Sequence, residues 1–168
     1  MVLQNLDVAS RERLELIFNV SLSLGYVPKR WCGANAVLIP KAGKSDYSSP
    51  RSFRPISLTS FLFKGMERVV AWNLEEVGVI DSLSPCQHAF RKGKSTATCL
   101  SRAVDIIEAS ILRGKHALGV FFDIEGAFDN VLTSKVLEGL DAKGVPTDII
   151  KWYGYYLTHR FVQVSLGN

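Results

Sequence analysis

The sequence predicts an α+β fold in which several helices pack on a small mixed or antiparallel sheet. Some segments carry apolar residues at the three- and four-residue spacing of a helix face, and others are short apolar runs closed by proline or glycine. Stretches of turn-forming residues separate the two kinds of segment. With 168 residues, 47% of them hydrophobic, the chain is large enough to bury a core.

The first two elements follow from local sequence. Residues 10–24 have helical periodicity, with Ser10 as the expected cap and Gly25 at the end. Residues 34–39 are predicted to form a short buried strand that Pro40 closes. The chain is therefore expected to pass from a helix into the first strand of the sheet.

A loop and a second strand come next. Residues 41–52 consist almost wholly of turn formers. Residues 53–58 are predicted to be extended, because Arg54 precedes Pro55 and is kept out of the helical region. This order predicts two strands joined by a long connection.

Two amphipathic helices are predicted in the middle of the chain. The first is capped near Thr59 or Ser60 and ended by Gly78. The second is capped by Ser95 or Thr96 and ended near residue 114. Its expected inward side chains are Leu100, Ala103, Val104, Ile107 and Ile111.

The last third alternates between strands and helices. Residues 116–123 are nearly all apolar, which is typical of a strand buried on both faces. Helices are predicted over 133–142 and 147–158, the latter capped by Thr147. Residues 160–166 alternate like one half of a hairpin, so we expect the partner strand further along and this chain to be part of a longer domain.

Composition excludes several classes of protein. No apolar run approaches the roughly 20 residues of a membrane span, and the first residues do not resemble a secretory signal. Three cysteines without a Cys-x-x-Cys pair argue against a disulfide framework or a zinc site. We therefore expect an intracellular protein that does not enter a membrane, in the nucleus or the cytoplasm.

Positive charge concentrates in two loops. Residues 41–54 carry four cationic side chains against the single acid Asp46, and residues 85–98 carry three against none. Clustered cations among glycine, serine and proline can bind phosphate. The alternative is that both loops are simply solvated.

One carboxylate follows the predicted buried strand. Asp123 stands at the end of this strand, where an oxygen ligand for a hard cation such as Mg²⁺ is commonly placed. The alternative is an aspartate that caps the following turn, with Glu125 and Asp129 solvated. Two-metal phosphoryl transfer needs a second converging carboxylate, and the sequence contains no Asp-Asp pair. The sequence pattern therefore supplies one carboxylate of this site and no clear candidate for the second.

Other catalytic patterns are absent from the sequence. Gly43 and Gly93 each precede a Lys-Ser pair, but the first glycine of a phosphate-binding P-loop is missing in both places. His88, His116 and His159 stand outside any motif and are expected to be structural.

Four blocks in order resemble the fingers and the first part of the palm of a reverse transcriptase, most closely those of non-LTR (LINE-like) retrotransposons of the jockey type. The blocks are Leu-Ile-Pro-Lys-Ala-Gly-Lys at 38–44, Phe-Arg-Pro-Ile-Ser-Leu-Thr-Ser at 53–60, Gln-His-Ala-Phe-Arg-Lys-Gly-Lys-Ser-Thr at 87–96, and residues 121–131. The resemblance covers nearly the whole chain.

The resemblance implies roles at the reacting centre. Asp123 would be the catalytic, metal-binding aspartate, with the carbonyl of Ile124 as a further ligand of two Mg²⁺ ions. Lys41 and Arg54 would hold the triphosphate of a dNTP. Phe128 would lie under the sugar and exclude a 2′-hydroxyl, although simple core packing is the alternative for this ring.

The resemblance also implies template contacts and a domain order. Gln87, Arg91 and Ser95 would lie along the RNA template, with a loop cap as the alternative for Gln87. Residues 1–30 would be a helical lead-in, 31–114 a fingers-like region and 115–168 an incomplete palm.

The complete enzyme would be an RNA-directed DNA polymerase acting on an RNA template and a DNA primer. Its downstream Asp-Asp hairpin and thumb have no counterpart in these 168 residues, so we expect the chain alone to be inactive. The alternative is a non-catalytic nucleic-acid-binding remnant. The sequence does not indicate an oligomeric state.

Overall fold

A computed structural model describes residues 5–127 and 130–164, which form helices and one three-stranded mixed sheet, the predicted α+β content. The chain divides into two compact units: unit 1 comprises residues 1–77 and 132–168, and unit 2 comprises residues 78–131. The elements in chain order are α1 (Val8–Ser23), α2 (Lys29–Cys32), β1 (Gly33–Pro40), β2 (Phe53–Leu58), α3 (Phe61–Glu76), α4 (Thr96–Leu112), α5 (Thr133–Asp141), α6 (Thr147–His159) and β3 (Phe161–Val164).

Two helix starts differ from the prediction. The predicted capping role of Ser10 is wrong: the α1 helix begins three residues earlier, because the carboxylate of Asp7 accepts a hydrogen bond from the amide of Ser10 at 2.7 Å and caps the helix. The α6 helix follows Pro146 and has no side-chain cap, so the predicted capping role of Thr147 is wrong. The fixed φ of Pro146 restricts the backbone at the start of the helix without a capping hydrogen bond.

The sheet of unit 1 has the order β2-β1-β3. The β1 and β2 strands are antiparallel, with Ile39 opposite Arg54, and form a hairpin across residues 41–52. The predicted burial of residues 34–39 holds only at Ala34 and Ala36 and is wrong for the last three residues, which are exposed. The β3 strand pairs with β1 in parallel, from Gly33 opposite Phe161 onwards. The pairing with β1 uses one edge of β3, and the sequence analysis did not predict this non-local partner.

The start of β1 has little room for a side chain at Gly33. A Cβ added at Gly33 would lie 2.8 Å from the ring of Phe161. This ring occupies the space that a side chain would fill, so the close approach of β3 to β1 depends on the missing Cβ.

Aromatic side chains build the core of unit 1. Phe63 of α3 stacks on Trp152 of α6 at 5.8 Å between ring centroids, and Tyr156 contacts Phe63 at 4.6 Å. Trp31 of α2 packs edge-on against Phe18 of α1 at 5.8 Å. Four helices thus meet around Phe63 and Trp152, which are both fully buried.

A buried hydrogen-bond chain links α1 to α6. The indole N–H of Trp152 donates to the hydroxyl of Ser21 at 3.0 Å, and this hydroxyl donates to the carbonyl of Tyr26 at 2.6 Å. Between them Gly25 has φ +58°, and a Cβ there would lie 2.8 Å from the Cβ of Lys151. Only glycine gives the turn its left-handed conformation and lets α6 approach this closely.

Unit 2 is built around α4. The side chain of Ser95 accepts the amide of Thr98, whose hydroxyl in turn accepts the amide of Ser95, so the predicted cap is confirmed as a reciprocal capping box. The expected burial of one helix face is wrong, since the α4 helix has no buried residue. An amphipathic pattern predicts which face can be covered but not whether a partner is present to cover it.

The predicted buried strand over 116–123 does not form. The structure gives this segment no strand assignment, and Leu118, Phe121 and Phe122 are 92%, 96% and 91% exposed. A strand needs a hydrogen-bonded neighbour, and none of the three described strands pairs with this segment.

None of the helices within residues 5–127 and 130–164 is long and apolar enough to span a bilayer.

Candidate functional site

The β1–β2 hairpin of unit 1 carries Lys41 and Arg54. Lys41 directly follows β1, and its ammonium donates to the carbonyl of Arg51 at 2.8 Å. Its backbone amide donates to the carbonyl of Ser52 at 2.8 Å, which closes the base of the connection. Arg54 lies on β2 opposite Ile39 and is exposed. The hairpin register therefore brings these two predicted phosphate-binding residues to the same end of the strand pair.

The only acid in the connection is satisfied locally. The carboxylate of Asp46 accepts the amide of Ser48 at 2.8 Å and the hydroxyl of Ser48 at 2.9 Å, and these two bonds lower the pKa of Asp46. No ion pair joins Asp46 to a cation of the hairpin within the described ranges. The positive charges of Lys44, Arg51 and Arg54 thus remain available to an anion.

The loop over residues 84–95 of unit 2 holds the predicted template-binding residues. The side-chain amide of Gln87 donates to the carbonyl of Ala89 at 3.2 Å, as its alternative interpretation as a loop cap predicts. The guanidinium of Arg91 donates to the carbonyl of Ser84 at 2.9 Å. The hydroxyl of Ser95 caps α4. All three side chains shape the loop, and Arg91 keeps further N–H donors.

Asp123 is exposed rather than set at the end of a buried strand. Its Oδ1 accepts the amide of Ile124 at 3.0 Å, so it stabilises the start of the following turn. In the same turn the side-chain amide of Asn130 donates to the carbonyl of Glu125 at 3.1 Å. The carboxylate of Asp123 pairs with no cation in the part of the chain that the structure describes.

Asp123 and Ile124 supply oxygen atoms of the kind that Mg²⁺ prefers. One carboxylate and the carbonyl of Ile124 are hard oxygen ligands, and Mg²⁺ often takes only one or two carboxylates, with waters and phosphates completing its shell. No group of three His, Cys, Asp or Glu side chains converges among the residues described. These residues could therefore contribute to a metal site but do not complete one for two ions.

The predicted residues fall into two separate groups. Lys41 and Arg54 belong to unit 1, whereas Gln87, Arg91, Ser95, Asp123 and Ile124 belong to unit 2. Phe128 lies outside the described residues.

Sequence reasoning missed two features. Unit 1 has an open cavity of about 550 Å³ between β1, β3 and the start of α3, and two cations, Arg30 and Lys64, line it. Unit 2 places His88 against Thr98, with Nδ1 at 2.8 Å from the hydroxyl oxygen. The cavity depends on the non-local pairing of β3, and a solitary histidine carries no spacing signal, so neither had a local signature.

Comparison with known proteins identifies the family. Residues 39–166 match the family described as Reverse transcriptase (RNA-dependent DNA polymerase). The chain is 37% identical to a probable RNA-directed DNA polymerase from transposon BS of Drosophila melanogaster, over 80% of this chain and 15% of that protein. It is 37% identical to the RNA-directed DNA polymerase from mobile element jockey of the same organism, over 70% of this chain and 13% of that protein.

A third relative is more distant. The chain is 30% identical to the Retrovirus-related Pol polyprotein from type-1 retrotransposable element R1 of Bradysia coprophila, over 86% of this chain and 14% of that protein. The chain thus spans 13–15% of the length of these three curated relatives. The resemblance to polymerases of non-LTR retrotransposons is confirmed, and the chain belongs to the reverse transcriptase family.

Proposed function

We propose that the chain is part of an RNA-directed DNA polymerase that adds deoxynucleotides to a primer 3′-hydroxyl on an RNA template. The observation that carries the proposal is the β1–β2 hairpin, where Asp46 is satisfied by Ser48 and, among the residues described, forms no ion pair with Lys44, Arg51 or Arg54. Arg54 on β2 and the two cations of the connection suit a triphosphate, whose developing charge they can stabilise. Family membership supports a deoxynucleotide as the ligand.

The proposal assigns roles along the chain. Lys41 and Arg54 bind the triphosphate, and Phe128 lies under the sugar. Residues 31–114 belong to the fingers and 115–168 to the first part of the palm, behind the helical lead-in of residues 1–30. The β1 strand belongs to the proposed fingers and β3 to the proposed palm, and the two strands pair with each other.

Metal and template roles fall in unit 2. Asp123 and the carbonyl of Ile124 contribute oxygen ligands to Mg²⁺, which when bound stabilises negative charge on phosphoryl oxygens. Gln87, Arg91 and Ser95 lie along the RNA template.

Nucleotide binding tests the role of the hairpin. With Mg²⁺ and a primer–template duplex present, Arg54→Ala should weaken the binding of a dNTP to the 168-residue chain about tenfold, because a charge-assisted hydrogen bond is removed. Arg68→Ala is the matched control, since Arg68 is also an exposed arginine of unit 1 but lies on α3. Equal affinity in both variants would count against the proposed triphosphate site.

Primer extension tests the second half of the proposal. We propose that the 168-residue chain alone does not extend a primer, because the residues described supply one carboxylate toward a site that needs at least two. Incorporation of dNTPs by the purified chain, abolished by Asp123→Ala, would show that this reasoning is wrong.

A non-catalytic nucleic-acid-binding role is the second candidate. The lack of a converging set of metal ligands among residues 5–127 and 130–164 favours it. It predicts binding to an RNA–DNA duplex without dNTP binding. It also predicts a weaker salt dependence for the double variant Lys41→Ala with Arg54→Ala. The slope of the logarithm of the binding constant against the logarithm of the salt concentration should become less negative by about 0.9 for each phosphate that the variant no longer neutralises. Affinity that does not change with salt would argue against this role.

A further inference from the structure

The three polar groups of Lys41 are all hydrogen-bonded to the connection between β1 and β2. The amide of Lys41 donates to the carbonyl of Ser52 at 2.8 Å, and its ammonium donates to the carbonyl of Arg51 at 2.8 Å. Its carbonyl accepts the phenolic hydroxyl of Tyr47 at 2.8 Å. The position of Lys41 therefore depends on the connection as well as on β1.

One of these three bonds comes from the side chain of another residue, Tyr47. The acceptors at Ser52 and Arg51 are backbone carbonyls, which remain when the side chain at either position is changed. A substitution at Tyr47, by contrast, removes the hydroxyl from the carbonyl of Lys41. Tyr47 is thus the residue through which the sequence of the connection acts on Lys41.

Two contacts hold Tyr47 in place. The hydroxyl of Ser52, a residue that is 5% exposed, donates to the carbonyl of Asp46 and fixes the backbone just before Tyr47. The ring of Tyr47 packs edge-on against Phe53, with 5.9 Å between the ring centroids. Because Phe53 pairs with Pro40 across the two strands, the ring rests on the end of the strand pair.

Both proposed triphosphate ligands adjoin these contacts. Tyr47 bonds Lys41 directly, and its ring packs against Phe53, the residue before Arg54. The side chain of Tyr47 is itself 44% exposed, so it is not a core residue. At this exposure water could satisfy both the hydroxyl and the carbonyl, so the bond orders the chain more than it stabilises the fold.

The ammonium of Lys41 can still bind a phosphate from this position. An ammonium has three donors, and the bond to the carbonyl of Arg51 uses one of them. A long side chain that is already ordered loses less conformational entropy when a ligand binds. Ordering Lys41 in the free protein therefore favours the binding of a phosphate.

We infer that Tyr47 is a positioning residue for the deoxynucleotide: its hydroxyl orders Lys41, and Lys41 binds the triphosphate. The inference rests on the proposed function for the role of Lys41. It gives Tyr47 no contact with the nucleotide. Removal of one hydroxyl group that touches no phosphate should therefore weaken the binding of the triphosphate.

Nucleotide binding to Tyr47→Phe tests the inference. With Mg²⁺ and a primer–template duplex present, the affinity of the 168-residue chain for dATP should fall about fivefold, because a long side chain must then be ordered on binding. The ring and its contact with Phe53 remain, so Tm should stay close to the wild-type value. Tyr47→Leu, which also loses the ring, should lose at least as much affinity.

Tyr153→Phe is the matched control. Tyr153 is a half-buried tyrosine of unit 1 that lies on α6, so its variant should bind dATP like the wild type.

A double-mutant cycle separates positioning from a general effect on the fold. In the Lys41→Ala background, Tyr47→Phe should cause no further loss of affinity for dATP, because no ammonium is left to order. Equal losses in the wild-type and Lys41→Ala backgrounds would overturn the inference. Wild-type affinity in both Tyr47→Phe and Tyr47→Leu would overturn it as well.

The outcomes distinguish this inference from the proposed function. A loss of dATP affinity in Lys41→Ala without any loss in Tyr47→Phe would overturn the inference alone and leave the proposed triphosphate site standing. Wild-type affinity in Lys41→Ala, or no binding of dATP by the unsubstituted chain, would contradict both.

Discussion

The hydrogen-bond chain from Trp152 through Ser21 to Tyr26 predicts a large effect of a small substitution. Ser21→Ala removes one oxygen from a position that is 4% exposed and leaves the indole N–H of the fully buried Trp152 without an acceptor. An unsatisfied buried donor costs about 1–3 kcal/mol. We expect the free energy of unfolding to fall by about 2 kcal/mol, which for a chain of this size lowers Tm by about 4–8 °C.

Denaturation followed by tryptophan fluorescence measures this destabilisation. All three tryptophans, Trp31, Trp72 and Trp152, belong to unit 1, so the signal reports the unit that carries the substitution. Ser23→Ala is the matched control: the hydroxyl of Ser23 also bonds a carbonyl of α1 but is exposed, and its removal should change stability by less than about 0.5 kcal/mol.

A double-mutant cycle identifies the cause. In Ser21→Ala combined with Trp152→Phe neither partner of the bond remains, so the double variant should be more stable than the sum of the single effects predicts, by about 1 kcal/mol or more. Strict additivity of the two substitutions, or Ser21→Ala unfolding like Ser23→Ala, would refute the reasoning.

Three further substitutions test other parts of the fold. Gly25→Ala should lower the free energy of unfolding in urea more than Gly144→Ala does. Both glycines have positive φ, which costs alanine about 1 kcal/mol at either position, but only at Gly25 would the new Cβ meet Lys151. Equal losses of stability in the two variants would contradict this. Ser95→Ala removes the cap of α4 and should lower helical circular dichroism and reduce stability by about 1 kcal/mol, and an unchanged spectrum would contradict the capping role. Burial raises the pKa of the Glu67 carboxyl in the folded state, so the stability of the wild type falls as the pH rises through that pKa. The stability of Glu67→Gln relative to the wild type should therefore increase from pH 4 to pH 7. A stability difference between the two proteins that does not change with pH would refute this.

Local sequence predicted the elements that local interactions stabilise. The cap at Ser60, the extended run before α3 and the capping box at Ser95 each depend on residues within a few positions of one another. For the same reason, the hairpin that presents Lys41 and Arg54 could be expected from the strands and the turn formers between them.

Non-local interactions account for the failures. The parallel pairing of β3 with β1 joins segments whose sequences carry no sign of each other. The apolar run at 116–123 has the composition of a buried strand, but composition does not supply a hydrogen-bonded neighbour. The contact of His88 with Thr98 could not be predicted either, because it results from how the loop packs on α4.

The register of β3 on β1 has a consequence for synthesis of the chain. Gly33 pairs with Phe161, 128 positions later, and unit 2 is translated entirely between them. At roughly 5–20 residues per second, the nascent hairpin waits on the order of ten seconds before its third strand leaves the ribosome. During that interval one edge of β1 offers unpaired backbone groups to any extended segment nearby, including that of a neighbouring nascent chain.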